Sequence, residues 1–175
     1  MGAENIIVKI AGSSEAALIA DLSRKTFYET FARFNTKENM DKFMNEQFTR
    51  EALIAEVGAP GNIFLVAYSG GEALGYLFMR KSENPRELGN VAAIEIARIY
   101  VEQDAIGKGV GALLLERSIE VAKEKKENII WLGVWEHNPR AIAFYQKWGF
   151  EKFGEHPFML GDDRQTDWYM KKILG

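Results

Sequence analysis

The chain has 175 residues, 47% of them hydrophobic and 27% charged, a composition that excludes a disordered or collagen-like protein. Its net charge of −3 disfavours a general electrostatic nucleic-acid binder, which would be basic. The absence of cysteine excludes disulfides, thiolate catalysis and cysteine-ligated metal, and two histidines, at positions 137 and 156, leave few options for a metal site. We therefore expect no metal.

The segment Met1–Ile10 has no basic stretch followed by an apolar run, so we expect no secretory signal. No stretch approaches about 18 consecutive apolar residues, so we also expect no membrane span. The length is close to that of one domain of about 150 residues. The sequence therefore predicts a single domain over residues 1–175, located in the cytoplasm and acting without membrane or nucleic acid.

The first third of the chain is predicted to be mainly helical. A short strand, Ile6–Ile10, precedes a cap at residues 12–14 and a helix whose apolar side chains recur as far as Phe31. Two more short helices open at Thr36 and Thr49.

The rest of the chain alternates strands and helices. A turn at residues 69–72 joins two strands into a predicted β-hairpin. The predicted strands are Ile63–Tyr68, Ala73–Arg80, Ala93–Val101, Ile129–Trp135, Phe150–Phe153 and Thr166–Ile173, and the predicted helices are Val110–Lys126 and Asn138–Trp148. This order predicts a mixed α/β domain.

A glycine-rich turn, Ile106–Gly111, joins a strand to a helix. Glycines at alternate positions let a phosphate approach backbone N–H groups at a helix N-terminus, although an ordinary tight turn has the same pattern. A Walker loop is excluded because Gly109 stands where that loop needs Ser or Thr. Gly107, Gly109 and Ala112 match the dinucleotide pattern of an oxidoreductase, but the antiparallel strands before the turn are a poor context for that fold.

A second motif spans Asn138–Phe150. Asn138 caps the predicted helix, with Pro139 at its first position and Gly149 at its end. Tyr145 lies on its apolar side, where a tyrosine is either a core aromatic or a catalyst.

Together these two motifs resemble motifs A and B of the GNAT superfamily of acyl-CoA N-acyltransferases, in that family's order and spacing. The resemblance covers nearly the whole chain and implies the GNAT fold: an α/β (α+β) arrangement with a mixed, mostly antiparallel sheet flanked by helices. Residues 130–136 and 158–167 are further similar to the PaiA-like polyamine acetyltransferases.

The resemblance implies that acetyl-CoA is the co-substrate, and it also implies which residues bind each part of this molecule. The backbone of Ile99, Tyr100 and Val101 would pair with the pantetheine arm. The one departure is Ile106, where the family usually has Gln or Arg, and this puts a side-chain contact there in doubt. The remaining implied contacts are Gly107, Lys108, Gly109, Val110 and Gly111 with the pyrophosphate, Asn138 near the thioester, and Lys147 near the phosphate-bearing end.

The implied chemistry is direct attack of an amine on the thioester in a ternary complex. Tyr145 would protonate the leaving thiolate, and a backbone N–H near Val101 would bind the oxyanion. A carboxylate or a water chain can take a proton from the ammonium, and the candidate residues are Glu95 and Glu136, with His137 as a competitor. Strand alternation predicts that Glu95 shares a face with Ala97, Ile99 and Val101.

A small primary amine is the expected acceptor, with a polyamine such as spermidine or spermine favoured. A peptide or protein amine, another small amine, and a catalytically inactive CoA-binding GNAT module remain alternatives. Closing strands in this superfamily often meet those of a partner, so the resemblance also allows a homodimer. Side chains suited to a cation are the carboxylates Glu29, Glu136, Asp162, Asp163 and Asp167 and the aromatics Tyr28, Trp135 and Trp168.

Overall fold

A computed structural model describes residues 5–175 of the chain; the first four residues, part of the segment searched for a secretory signal, lie outside the described residues. The strands are β1 (Ile6–Ile10), β2 (Asn62–Ser69), β3 (Glu72–Arg80), β4 (Ala93–Val101), β5 (Ile129–Trp135), β6 (Glu151–Leu160) and β7 (Asp163–Ile173). The helices are α1 (Ala16–Phe31), α2 (Lys37–Glu46), α3 (Arg50–Glu56), α4 (Val110–Glu124) and α5 (Pro139–Lys147).

Three helices begin at the polar residues from which the sequence predicts their start. Thr36 and Thr49 accept hydrogen bonds from the backbone N–H groups three residues later, at 3.1 and 3.2 Å. Asn138 accepts one from Ala141 N at 3.2 Å. These caps satisfy N–H groups that have no partner inside the helix.

Residues 5–175 form one seven-stranded sheet in the order β1-β2-β3-β4-β5-β7-β6. Only β4 and β5 are parallel, and every other pair is antiparallel. The predicted mixed, mostly antiparallel sheet flanked by helices is therefore confirmed. No helix within this part of the chain is both long and apolar enough to cross a membrane.

Helices cover both faces of the sheet. On one side, which we call the α4 face, Leu114, Leu115 and Ile142 pack onto the strands. On the other, the N-terminal-helix face, Ile19 and Phe27 of α1 pack with the strands and with α2. Deeply buried side chains on each face hold the central strands in place between two apolar layers.

The sheet opens between its two parallel strands. β4 and β5 pair over four residues only, from Ala93 with Ile129 to Ile96 with Leu132. Beyond that point β4 pairs with β3 alone and β5 with β7 alone. This leaves a gap between residues 97–101 of β4 and 133–135 of β5, which we call the gap.

A β-bulge in β4 makes one sequence prediction wrong. Pairing with β3 shifts register between Arg98 and Ile96, so Ala97 is an extra residue. Ile99 and Val101 consequently pack on the α4 face with Ile96, whereas Ala97 packs on the N-terminal-helix face. Glu95, Ala97, Ile99 and Val101 do not share one face, because the bulge reverses the alternation.

The last two strands are longer than predicted. β6 extends to Leu160, well past the expected end at Phe153, and β7 begins at Asp163. The strand continues through Pro157, although this residue has no N–H for a ladder. β6 is the edge strand of the sheet, where a proline is tolerated.

Candidate active site at the gap

The glycine-rich loop forms an open backbone cradle at the start of α4. Gly107 and Gly109 have φ angles of +87° and +84°, and a Cβ at either would meet nothing within 4 Å. Gly109 is the N-cap and brings no side chain to the first-turn N–H groups. Those groups therefore remain available to an anion, and the helix dipole favours one there.

The two sequence motifs meet beside the gap. A Cβ at Gly111 would lie 3.8 Å from Cγ2 of Val101 and 3.7 Å from Cζ of Phe144, so the first turn of α4 touches both β4 and α5. Lys108 and Lys147 are exposed, as is Ile106, at 43%. At Ile106 the loop thus offers an anion only backbone groups.

Every second N–H group of β4 points into the gap. Glu102 N donates to Leu74 O at 2.8 Å, on the β3 side. Because backbone groups alternate along a strand, the N–H and C=O groups of Val101 and Ile99 point away from β3. The carbonyl of Tyr100 points towards β3. The backbone of Tyr100 therefore does not face the gap, where the sequence predicts that it pairs with the pantetheine arm.

Tyr145 approaches the gap from the α4 face. It is 7% exposed, and its ring lies 5.4 Å from Phe144 and 5.7 Å from Phe150, measured between centroids. Burial raises the pKa of its phenol, which therefore stays protonated at neutral pH. The ring of Tyr145 is a core aromatic, as one of the two sequence interpretations predicts. Its hydroxyl is not one of the buried polar atoms that lack a hydrogen-bond partner among residues 5–175.

Groups from both faces meet across the gap. Burial raises the pKa of Tyr100, and nearby Tyr76, Tyr145 and Asp167 raise it further. Tyr145 comes from α5 on one face, whereas Tyr100 and Asp167 lie on the other. Tyr145 and Asp167 thus lie near enough to Tyr100 for their charges to influence its pKa.

Aromatic rings line the N-terminal-helix side of this opening. Phe31 lies 6.2 Å from Tyr100 and 6.0 Å from Trp135, so it spans the gap between β4 and β5. Phe34 lies 5.3 Å from Trp135. Edge-to-face contacts of this kind form a rigid wall that also suits a cation.

The two predicted proton acceptors have different surroundings. Glu95 accepts hydrogen bonds from Arg80 Nε at 2.6 Å and Ser82 Oγ at 3.0 Å. Glu136 lies just after β5, and its Oε1 is 3.3 Å from Nε2 of the exposed His137. The carboxylate of Glu95 is thus held in a structural pair, whereas Glu136 directly follows the gap end of β5 and has no Lys or Arg within 4 Å among residues 5–175.

Several side chains predicted to suit a cation lie elsewhere. Asp162 and Asp163 are at the β6–β7 turn, where Asp162 pairs with Lys42 at 2.5 Å. Trp168 packs on the α4 face with Lys152 4.2 Å from its ring. Tyr28 is exposed on α1 and outside the aromatic wall.

One acidic group near Tyr169, Glu87, was not singled out from the sequence. Burial raises the pKa of Tyr169, and the carboxylates of Glu87, Glu95 and Asp167 raise it further, so all three lie near this phenol. Glu29, which the sequence did suggest, has a buried Oε1 with no hydrogen-bond partner in residues 5–175. Glu87 lies in a short turn after a polar loop, and its sequence carries no signal of this placement.

Metal ligation finds no support in the arrangement of side chains. Across positions 5–175, no three His, Asp or Glu residues come together as a metal-binding group.

Comparison with known proteins identifies relatives along most of the chain. Residues 24–150 match the model of the Acetyltransferase (GNAT) family. An uncharacterised N-acetyltransferase of Lactobacillus delbrueckii subsp. lactis is 39% identical over 95% of this chain and 98% of its own. A spermidine N(1)-acetyltransferase of Thermoplasma acidophilum is 24% identical over 76% of this chain and 80% of its own.

The fold also matches solved structures. The PaiA N-acetyltransferase of Thermoplasma acidophilum, crystallised with coenzyme A, superposes with a TM-score of 0.76. The match covers 97% of this chain and 99% of that one, at 19% identity. At this identity the likeness concerns the fold.

Proposed function

Because the chain belongs to the Acetyltransferase (GNAT) family, we propose that it moves the acetyl group of acetyl-CoA to a small cationic amine, with a polyamine such as spermidine favoured. One observation carries the choice of acceptor. Within residues 5–175, no Lys or Arg lies within 4 Å of the carboxylates of Glu29, Glu87, Glu136 or Asp167. Carboxylates that have no Lys or Arg partner, together with an aromatic wall, favour a ligand with several positive charges.

The residues around the loop and the gap fit acetyl-CoA. The cradle at Gly107–Gly111 offers N–H groups and space for the pyrophosphate. Val101 and Ile99 offer strand-like partners to the pantetheine amides, and the side-chain nitrogen of Asn138 is free to donate because its oxygen caps α5. We propose that Lys147 and Lys108, both exposed, interact with the phosphates.

The proposed chemistry needs no covalent acyl-enzyme. When bound, acetyl-CoA supplies the activated thioester carbonyl. The N–H of Val101 is placed to stabilise the oxyanion, and the Tyr145 hydroxyl donates its proton to the sulfur as the bond to carbon breaks. The amine enters from the N-terminal-helix side, where the aromatic wall and the carboxylates lie.

The acceptor choice also has support from relatives. The spermidine N(1)-acetyltransferase of Thermoplasma acidophilum is similar to this chain over three quarters of its length. We propose that Glu136 holds the second charge of the acceptor. Glu95 accepts hydrogen bonds from Arg80 and Ser82, and we therefore assign it a structural role and not proton transfer.

Replacing Glu136 with Gln tests this assignment. We expect the KM for spermidine to rise about tenfold, because a charge-assisted contact contributes roughly 1.5 kcal/mol. The KM for butylamine, which has no second charge, should stay within about twofold. Steady-state kinetics with both amines provides the measurement.

Glu72→Gln is the matched control, since Glu72 is exposed at the distant β2–β3 turn. Equal changes in KM for spermidine and butylamine would contradict a second-charge contact. A fall in kcat at constant KM would make Glu136 the proton acceptor instead.

A further inference from the structure

Asp167 and His156 form a pair on neighbouring strands that the chemistry above leaves without a role. They lie opposite each other in β7 and β6, with Oδ2 of Asp167 3.7 Å from Nε2 of His156. The Asp167 side chain is only 17% exposed, and His156 is the one basic group within 4 Å of it among residues 5–175. A carboxylate this buried needs either a partner or a proton.

The tautomer of His156 follows from its other contact. Its Nδ1 lies 3.1 Å from the carbonyl oxygen of Pro157, which can only accept a hydrogen bond. In the neutral ring the proton is therefore assigned to Nδ1, and the lone pair of Nε2 faces Asp167. His156 can thus receive a proton from Asp167.

Gly133 of β5 provides the space for this pair. A Cβ at this position would lie 3.0 Å from His156 Nε2 and 3.7 Å from Asp167 Oδ2. Its φ lies outside the left-handed region, so the backbone does not require glycine here. The missing side chain leaves room for the pair beside β5, and the ring of His156 stacks on Tyr169 with centroids 4.5 Å apart.

The charges around Asp167 suit a base. Burial raises the pKa of its carboxyl group, His156 lowers it and Glu136 raises it. The phenols of Tyr100 and Tyr169 also lie close, and both stay neutral because burial raises their pKa values. A carboxylate with a raised pKa is a stronger base than an ordinary one.

We propose that Asp167 accepts the proton from the acceptor ammonium and that His156 passes it to solvent. This inference rests on the proposed acetyl transfer and replaces Glu95 and Glu136 as proton acceptors. Asp167 contacts the amine, whereas His156 acts through Asp167 as a positioning and relay residue.

The proton balance closes over one turnover. R–NH3+ gives a proton to the Asp167 carboxylate and becomes R–NH2, whose lone pair attacks the carbonyl carbon. The C–S bond then breaks and Tyr145 protonates the sulfur, giving CoA–SH. The second nitrogen proton restores the Tyr145 phenol, and Asp167 loses its proton through His156 Nε2. The net products are the amide, the thiol and one proton.

Replacing Asp167 with Asn should lower kcat at pH 7 about 100-fold while CoA still binds. In the variant, only amine that is already neutral can react. Its kcat/KM should therefore rise about tenfold per pH unit towards the amine pKa near 10.4, whereas the wild type levels off earlier. His156→Gln should shift the acid limb of the wild-type profile and lower kcat less than Asp167→Asn. The measurement is a pH–rate profile with spermidine for each protein.

Asp41→Asn, at a half-exposed aspartate of α2 that pairs with Lys37, is the matched control and should keep the wild-type profile. CoA affinity measured by calorimetry shows that each variant is folded. A wild-type rate and profile in Asp167→Asn would overturn the inference. Inactivity of the wild type with every amine would instead overturn the proposed function.

Discussion

Replacing Tyr145 with Phe is expected to lower kcat about 100-fold, with little change in the KM for acetyl-CoA. The substitution removes only the hydroxyl, which we propose donates to the leaving sulfur. The ring stays packed against Phe144 and Phe150, so the melting temperature should hardly move. Steady-state kinetics and a thermal melt measure both quantities.

Tyr68→Phe is the control for loss of a phenol. Tyr68 lies on β2, away from the gap, where its hydroxyl donates to Glu15. Its substitution should leave kcat unchanged. Wild-type turnover in Tyr145→Phe would show that the thiolate leaves without this acid, or that chemistry does not limit the rate.

Replacing Gly109 with Ala is expected to raise the KM for acetyl-CoA at least tenfold. At φ +84° the new side chain strains the backbone by about 1–2 kcal/mol. Since no protein atom lies within 4 Å of the new Cβ, we expect its further effect to fall on the phosphate that we propose the cradle binds. CoA titration by calorimetry and initial rates give the two affinities.

Gly71→Ala separates backbone strain from the cofactor contact. Gly71 has φ +83° and equally open surroundings, but it lies in the β2–β3 turn. Both variants should lose similar stability, and only Gly109→Ala should lose CoA affinity. Equal affinity in the two variants would mean that the loop does not hold the pyrophosphate.

Much of the fold was predictable because its signals are local. Thr36, Thr49 and Asn138 cap their helices as the sequence indicates, since a cap depends on residues three positions apart. The bulge at Ala97 was not predictable, because it depends on register against β3. The length of β6 was underestimated, and its passage through Pro157 is tolerated because β6 is an edge strand, which is a property of the whole sheet.

In the candidate site, too, local motifs were predictable from the sequence and long-range contacts were not. The glycine loop and Tyr145 stand in short motifs that can be read from the chain. The placement of Asp167 near Tyr100 requires β7 to lie beside β5. His156 gives no sequence signal of its role, because its partner is eleven residues away across a hairpin whose length was underestimated.

The most direct test of the account is thiol release from acetyl-CoA by the wild-type chain with spermidine. We predict release that requires both substrates, saturates with each, and equals the amount of acetylated amine found by mass spectrometry. Without amine, no burst of CoA should appear, because no acetyl-enzyme forms. Binding of CoA with no release above background for spermidine, spermine or any other amine would contradict the account and indicate an inactive CoA-binding protein.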